Sequence, residues 1–329
     1  MKSKYKLIKE NDKSKWDDFI KSTKYSTIFQ YSDYLDAVGS KYSCYFVYKA
    51  SELRAAISVI ESEDGVDIVG NDLVIHNGIA FGEPTTGQNH AQVISEHFNI
   101  TEFIAEKLHQ KYRNINITLS PSTIDIRPFL WVNYNTPLPQ YKINVRYTSI
   151  IDISKLCDTT SLEDNEIYQR SLKVRRQSIR YSIRDKVSTI EEFNIDAFYN
   201  LYMSTMLRQG ESPSNIRKMK ALVLSLYDKN LLRLFVSRNA DHEIGSIACF
   251  AIDYNRAYYL FGANNPEMRN QHTGTSVLWE SFLVLSNSGV TEVDLEGVNS
   301  PKRGWFKLSF GGELLPYYNV TLENNITKP

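Results

Sequence analysis

The sequence predicts an α/β protein with mixed sheets, arranged as two consecutive domains. Three observations carry this. Strand-type and helix-type hydrophobic periods alternate along the chain. One order of elements (strand, two helices, three strands, helix, strand) is met twice, and its second copy places a strand, a loop, a helix and a strand in succession, the signature of a parallel pair with a crossover helix. With 329 residues, 42% of them hydrophobic, there is apolar material for two medium-sized cores. The expected division is 1–147 and 148–329.

The first copy opens with a strand at 5–8. A helix follows in which Ser14 can act as N-cap, carrying Trp16, Phe19 and Ile20. Ser32 and Asp33 can cap a second short helix through Val38. Runs at 44–48 and 55–60, separated by Lys49-Ala-Ser-Glu-Leu-Arg54, read as two antiparallel strands. Residues 75–82 form the third strand, 91–112 a long helix with a break near 99–101, and 115–119 a strand ended by Ser120-Pro121. Pro128, Pro137 and Pro139 mark a loop-rich passage before a strand at 141–153.

Residues 164–186 are the most basic segment. On a helix, Arg176, Arg180 and Arg184 share one stripe while Leu172, Ile179 and Ile183 face elsewhere. Two readings stand: recognition of a phosphate, on a nucleotide-linked sugar or a tRNA acceptor stem, and a solvated face with surface ion pairs. A strand at 188–193, helices at 196–208 and 214–227, and strands at 231–237 and 244–252 follow. Residues 258–261 are an aromatic strand closed by Asn264-Asn-Pro266. From Ser276, Leu278, Phe282 and Leu285 recur at helical spacing until Asn287-Ser-Gly289. Residues 291–296 alternate as a strand, 305–310 make a short helix and 314–321 a closing strand.

Lys and Arg number 38, as do Asp and Glu, so composition gives no reason to expect DNA or an anionic membrane as partner. Cys44, Cys157 and Cys249 lie far apart, and neither they nor the histidines show metal-ligand spacing, so no metal is expected. The thiols read as reduced, and no apolar stretch approaches a membrane span. The expectation is a soluble, cytoplasmic protein.

Between the aromatic strand and the helix lies Gln271-His-Thr-Gly-Thr-Ser276. In open α/β sheets, ligands bind at the carboxyl ends of strands. A glycine and small hydroxyl residues where a helix begins let backbone N–H groups approach an anion, and the helix end adds partial positive charge. The same residues also read as a plain N-cap.

The loop resembles the Gln/Arg-x-x-Gly-x-Gly/Ala loop of the GNAT (N-acetyltransferase) superfamily, with serine at the last position. The element order is similar to that of GNAT proteins, and its duplication resembles the Fem family and its relatives. The residues that carry this are Trp16-x-x-Phe19, Phe29-Gln-Tyr-Ser32, Tyr202-x-x-Thr205-x-x-Arg208-Gln-Gly210, Ala257-Tyr-Tyr-Leu-Phe-Gly-Ala263, Asp294-Leu-Glu-Gly297 and Phe306-Lys-x-x-Phe310-Gly-Gly-Glu313. The resemblance implies two tandem GNAT-like domains with a central cleft. It also implies that Gln271, His272, Thr273, Gly274, Thr275 and Ser276, with Gly262, Ala263 and Asn264, cradle a coenzyme A thioester. The first half has only Gln88-Asn-His-Ala91, a poorer match, and is expected to bind the acceptor through Gln30 and Tyr34. Arg208 is similar to the arginine with which Fem relatives hold a substrate phosphate; a helix-terminal arginine bound to its own carbonyl end is the other account.

Acyl transfer to an amine needs a neutral nitrogen, a polarised carbonyl and an exit for the proton. If 291–296 lies inside a parallel sheet, carboxylates at Glu292, Asp294 and Glu296 do not fit a plain core. In a partly desolvated cleft, Asp294 or Glu296 gains a raised pKa suited to taking an ammonium proton. A half-exposed strand with one face in water accounts for the pattern equally, and for Glu292 better. By resemblance, Lys307 stabilises charge on the tetrahedral intermediate; a surface lysine on a short helix is the bland reading.

The resulting expectation is an acyl-CoA-dependent N-acyltransferase acting on the amino group of a nucleotide-linked (dTDP or UDP) amino-deoxysugar, for surface polysaccharide or O-antigen synthesis. Two alternatives stay open: Fem-type, aminoacyl-tRNA-dependent transfer to a peptidoglycan precursor, and a non-catalytic tandem GNAT binding module.

Overall fold

The computed structural model describes residues 4–158, 161–208 and 213–324. The chain divides into two compact units, Met1–Arg146 with Pro316–Pro329, and Tyr147–Leu315. Residues after 315 therefore group with the first unit, whereas the sequence reading left them in the second half.

The first unit contains β1 (Tyr5–Glu10), α1 (Lys13–Ser22), α2 (Ser32–Val38), β2 (Tyr42–Lys49), β3 (Glu52–Ile60), β4 (Ile79–Phe81), α3 (His90–Lys111), β5 (Asn114–Thr118) and α4 (Arg127–Trp131). Strands β1 to β4 form an antiparallel sheet in that order. Asp12, not Ser14, caps α1, its carboxylate accepting from the Ser14 and Lys15 amides. Helix α3 runs unbroken through 99–101, and it buries Ile100, Phe103, Ile104 and Leu108 in a core shared with Val47, Ile57 and Ile79. Each such side chain contributes about 1.5–3 kcal/mol of hydrophobic stabilisation.

The second unit begins inside β6 (Lys142–Asp152) and continues through α5 (Glu166–Arg170), α6 (Lys173–Arg184), β7 (Ser188–Glu191), α7 (Ile195–Leu207), α8 (Pro213–Asp228), β8 (Leu232–Arg238), β9 (Ile244–Ile252), β10 (Arg256–Asn264), α9 (Thr273–Asn287), β11 (Glu292–Asp294), α10 (Pro301–Leu308) and the start of β12 (Glu313–Glu323). Its strands follow the order β6-β11-β10-β9-β8-β7. β10 and β11 run parallel, and the other neighbours in this series are antiparallel. The end of β12 pairs residues 319–323 with β5 and sets Val320 and Leu322 into the first core.

The order of elements follows the sequence expectation in both halves, and the protein is a mixed α/β fold. Three local differences appear, two of them with a physical cause. The basic segment is two helices, because the buried Ser171 hydroxyl bonds the Ile167 and Phe310 carbonyls where the chain turns. The strand expected at 75–82 shrinks to β4. β11 stops at Asp294 because Glu296 adopts a left-handed backbone with φ +53°. Gln209 and Gly210 of the sequence motif lie outside the described residues. Among the described residues, no helix is long and apolar enough to cross a membrane, and no group of His, Cys, Asp and Glu side chains could hold a metal ion.

Candidate active site

The site is built where β10 and β11 part. They pair over three positions, Arg256 with Glu292, Ala257 with Val293 and Tyr258 with Asp294. Beyond that point the chain after β11 stays with β6, the Leu295 amide donating to Ser149 and the Val298 amide to Tyr147. β10 instead continues to Asn264 alongside β9, with a bulge between Tyr259 and Phe261. The result is a fork between β10 and the chain that follows β11.

Asp294, Glu296 and Lys307 are brought together on the β11 side. Asp294 is fully buried, and one of its oxygens accepts from the Thr148 hydroxyl and, at 2.7 Å, from the Glu296 amide. That second bond holds Glu296 in its left-handed conformation, a strained geometry that persists only where the surroundings fix it. Glu296 is itself buried, and among the described residues its Oε1 has no hydrogen-bond partner. Burial, and next the neighbouring Asp294, push its pKa well above the ordinary carboxyl range, while Lys307 pulls it back. Burial lowers the Lys307 pKa, countered by Glu296 and Asp294. The Lys307 ammonium lies 3.5 Å from the Gly297 carbonyl oxygen and 5.3 Å from the centre of the Tyr259 ring. Glu292 stands apart in an ion pair with Arg256, Nε at 2.9 Å.

At the other side of the fork, α9 presents its N-terminus. His272 takes the N-cap position in a left-handed conformation, φ +59°, and its carbonyl accepts from the Thr275 and Ser276 amides. The Thr273 and Gly274 amides precede any intrahelical acceptor. The hydroxyls of the loop point inward: Thr273 meets Ser246 at 2.9 Å, Ser276 meets Thr189 at 3.0 Å, and Thr275 accepts from Arg175. Gln271 accepts from Asn239 at 2.8 Å, and Asn264 accepts from Ser246 at 2.7 Å. These side chains brace the loop, leaving backbone amides as the groups that can meet an anion. A Cβ on Gly274 would come within 3.0 Å of the Asn264 side chain. Gly262 has a different task, since a Cβ there would collide with the Tyr259 hydroxyl. Ala263 is core.

Three residues expected to bind substrate have partners within the chain. Arg208 closes its own helix, Nε donating to the Ser204 carbonyl at 3.1 Å and Nη2 to the Thr205 hydroxyl at 3.3 Å. Gln30 is buried in the first unit, accepting from the Thr27 amide at 3.2 Å and donating to the Gly78 carbonyl at 2.9 Å. Tyr34 is fully buried, and its hydroxyl donates to the Leu73 carbonyl at 2.7 Å. Both are core side chains, Gln30 closing a capping box with Thr27 and Tyr34 tying α2 to the Leu73 carbonyl. Gln30→Ala is accordingly expected to cost about 1–3 kcal/mol of stability through two unsatisfied buried backbone groups; an unchanged denaturation midpoint would contradict these bonds.

Sequence reasoning missed Thr148 and Arg175. Nothing marks Thr148 locally, since β6 meets Asp294 only through the sheet. Arg175 had a signal: it shares the helical face of Ile179 and Ser182, both buried, rather than the stripe of Arg176, Arg180 and Arg184. Within that stripe, Arg184 pairs with Asp185 on the surface and Arg180 reaches the Tyr168 hydroxyl.

Residues 165–303 match the family described as acetyltransferase (GNAT) domain. This matched segment, which carries the GNAT-type acyltransferase domain, holds the fork, the α9 loop and the Asp294–Glu296 pair. No curated protein matches the sequence. Among solved structures, the chain is similar in fold to FemX, at 12% identity over 95% of this chain and 96% of that one, with a TM-score of 0.66. It is also similar to L-PGS from Bacillus licheniformis, at 12% identity over 97% of this chain and 94% of that one, with a TM-score of 0.57.

Proposed function

We propose that the protein transfers an acyl group from a coenzyme A thioester to the amino group of a nucleotide-linked amino-deoxysugar. The observation that carries this reading is the fork between β10 and β11, flanked by the α9 N-terminus and by the buried Glu296 with Lys307. The donor's phosphates sit at the Thr273 and Gly274 amides, and its extended arm runs along β10. The acceptor nitrogen attacks the thioester carbonyl, forming a C–N bond. Glu296 takes the proton from that nitrogen. Lys307 faces the oxyanion of the tetrahedral intermediate, and Asp294 holds Glu296 in place. Collapse breaks the C–S bond, and the departing thiolate takes up the proton held by Glu296 and leaves as the thiol. Such donors and acceptors are cytoplasmic metabolites, which makes the cytoplasm the proposed location.

Calorimetry with coenzyme A tests the donor. Saturable binding below about 1 mM, a typical upper bound for enzyme substrates, is expected. No heat at millimolar ligand would sink the reading. The fold likeness to FemX supports a second one, in which the same fork accepts an aminoacyl-tRNA and the acceptor is a peptidoglycan precursor. Loss of activity on ribonuclease treatment would select it.

A further inference from the structure

Arg175 is a buried cation that the chemistry above does not use. It is 8% exposed, and burial lowers its pKa to about 10, with no carboxylate opposing the effect among the described residues. A buried charge without a counter-ion is costly unless its hydrogen bonds are met. Here its two ends go to different elements. Nε donates to the Ser309 hydroxyl at 2.8 Å, just past α10, and Nη1 donates to the Thr275 hydroxyl in the first turn of α9. The guanidinium lies over Phe306 and Phe310, at 4.4 and 4.8 Å from their ring centres. Only a planar fork makes these two divergent bonds while stacking on aromatic faces, so lysine is not an equivalent.

We propose that Arg175 is a positioning residue of the donor site, which fixes the α9 N-terminus against α10 and adds a fixed positive charge beside the amides that receive the donor's phosphates. The inference rests on the donor reading above. A strut that served stability alone would be satisfied more cheaply by apolar packing, since the aromatic floor is already present. The positive charge is retained where a helix already offers its positive end, and the two fields add for an anion bound there.

The test compares coenzyme A with pantetheine, which lacks the phosphates, using calorimetry for the first and NMR titration for the second. Arg175→Met is expected to weaken coenzyme A at least about ten-fold, a loss of about 1.4 kcal/mol, while pantetheine affinity stays within about two-fold. Arg175→Lys keeps the charge but not the fork and should fall between wild type and Arg175→Met. Thr275→Val cuts one end of the strut without touching the cation and serves if Arg175→Met does not fold. Equal losses on both ligands, or no loss on coenzyme A in any of the three variants, would overturn the assignment and leave Arg175 a structural bolt. A wild-type protein that binds no coenzyme A overturns the donor reading, and this inference with it.

Discussion

Lys307→Met is expected to lower turnover by about 10²–10³-fold, the scale of losing one oxyanion-stabilising donor, with coenzyme A affinity almost unchanged. Glu296→Gln should have a comparable effect for a different reason, about 10²–10⁴-fold, because the proton acceptor is lost. The readout is thiol release from acetyl-CoA with a panel of amino-sugar nucleotides. The pH profiles separate the two roles. Wild-type activity should rise as pH passes the raised Glu296 pKa and fall as Lys307 loses its proton at a lowered one. Glu296→Gln should lack the acidic limb and Lys307→Met the basic limb. Stability gives an independent check on Glu296. Its pKa in the folded state lies above the unfolded value of 4.5, so its contribution is fully present below that value and is lost as pH rises through the folded one. Glutamine keeps the shape without ionising. Glu296→Gln should therefore melt higher than wild type at pH 8, with the gap closing below about pH 4.5. A variant that is both fully active and no more stable would dismiss Glu296 as the base.

Gly304→Ala should reduce turnover by about 10²-fold, the cost of a misplacement near 1 Å, without weakening coenzyme A. Gly304 lies one turn before Lys307 in α10, buried, with its Cα against the Val298 carbonyl; a methyl group there collides with that oxygen. The helix must back away and carry Lys307 with it. The far end of α10 offers no relief. Gly311 sits at φ +80° against the Arg170 backbone, and a Cβ on Gly312 would strike Ser149 and Ile151. Undiminished turnover in Gly304→Ala would mean that the position of Lys307 is not what limits the reaction.

These glycines also show how far the sequence could be read. Long segments with a single hydrophobic period, such as α3, α9 and the β8–β10 meander, announced their type, and the order of elements followed from them. The start of α9 just after His272 was legible because the turn and helix signals there are local. What depended on the far side of a contact was not. Gln30 and Tyr34 look like polar and aromatic residues free to bind a ligand until Gly78 and Leu73 supply buried carbonyls for them. Glu296 reads as the outward position of an alternating strand, yet its left-handed turn takes it out of the ladder and into a buried pair with Asp294. Arg175 hides in a run of cations because charge patterns are read by eye as surfaces, whereas its helical face is set by Ile179 and Ser182.

The short pairing of residues 319–323 with β5 bears on how the chain is made. Val320 and Leu322 belong to the core of the first unit, yet they are translated after the whole of the second. A nascent first unit emerges from the ribosome with β5 lacking this partner strand, and it stays so while some 170 further residues are added. The first unit can therefore be completed only after the second has been synthesised.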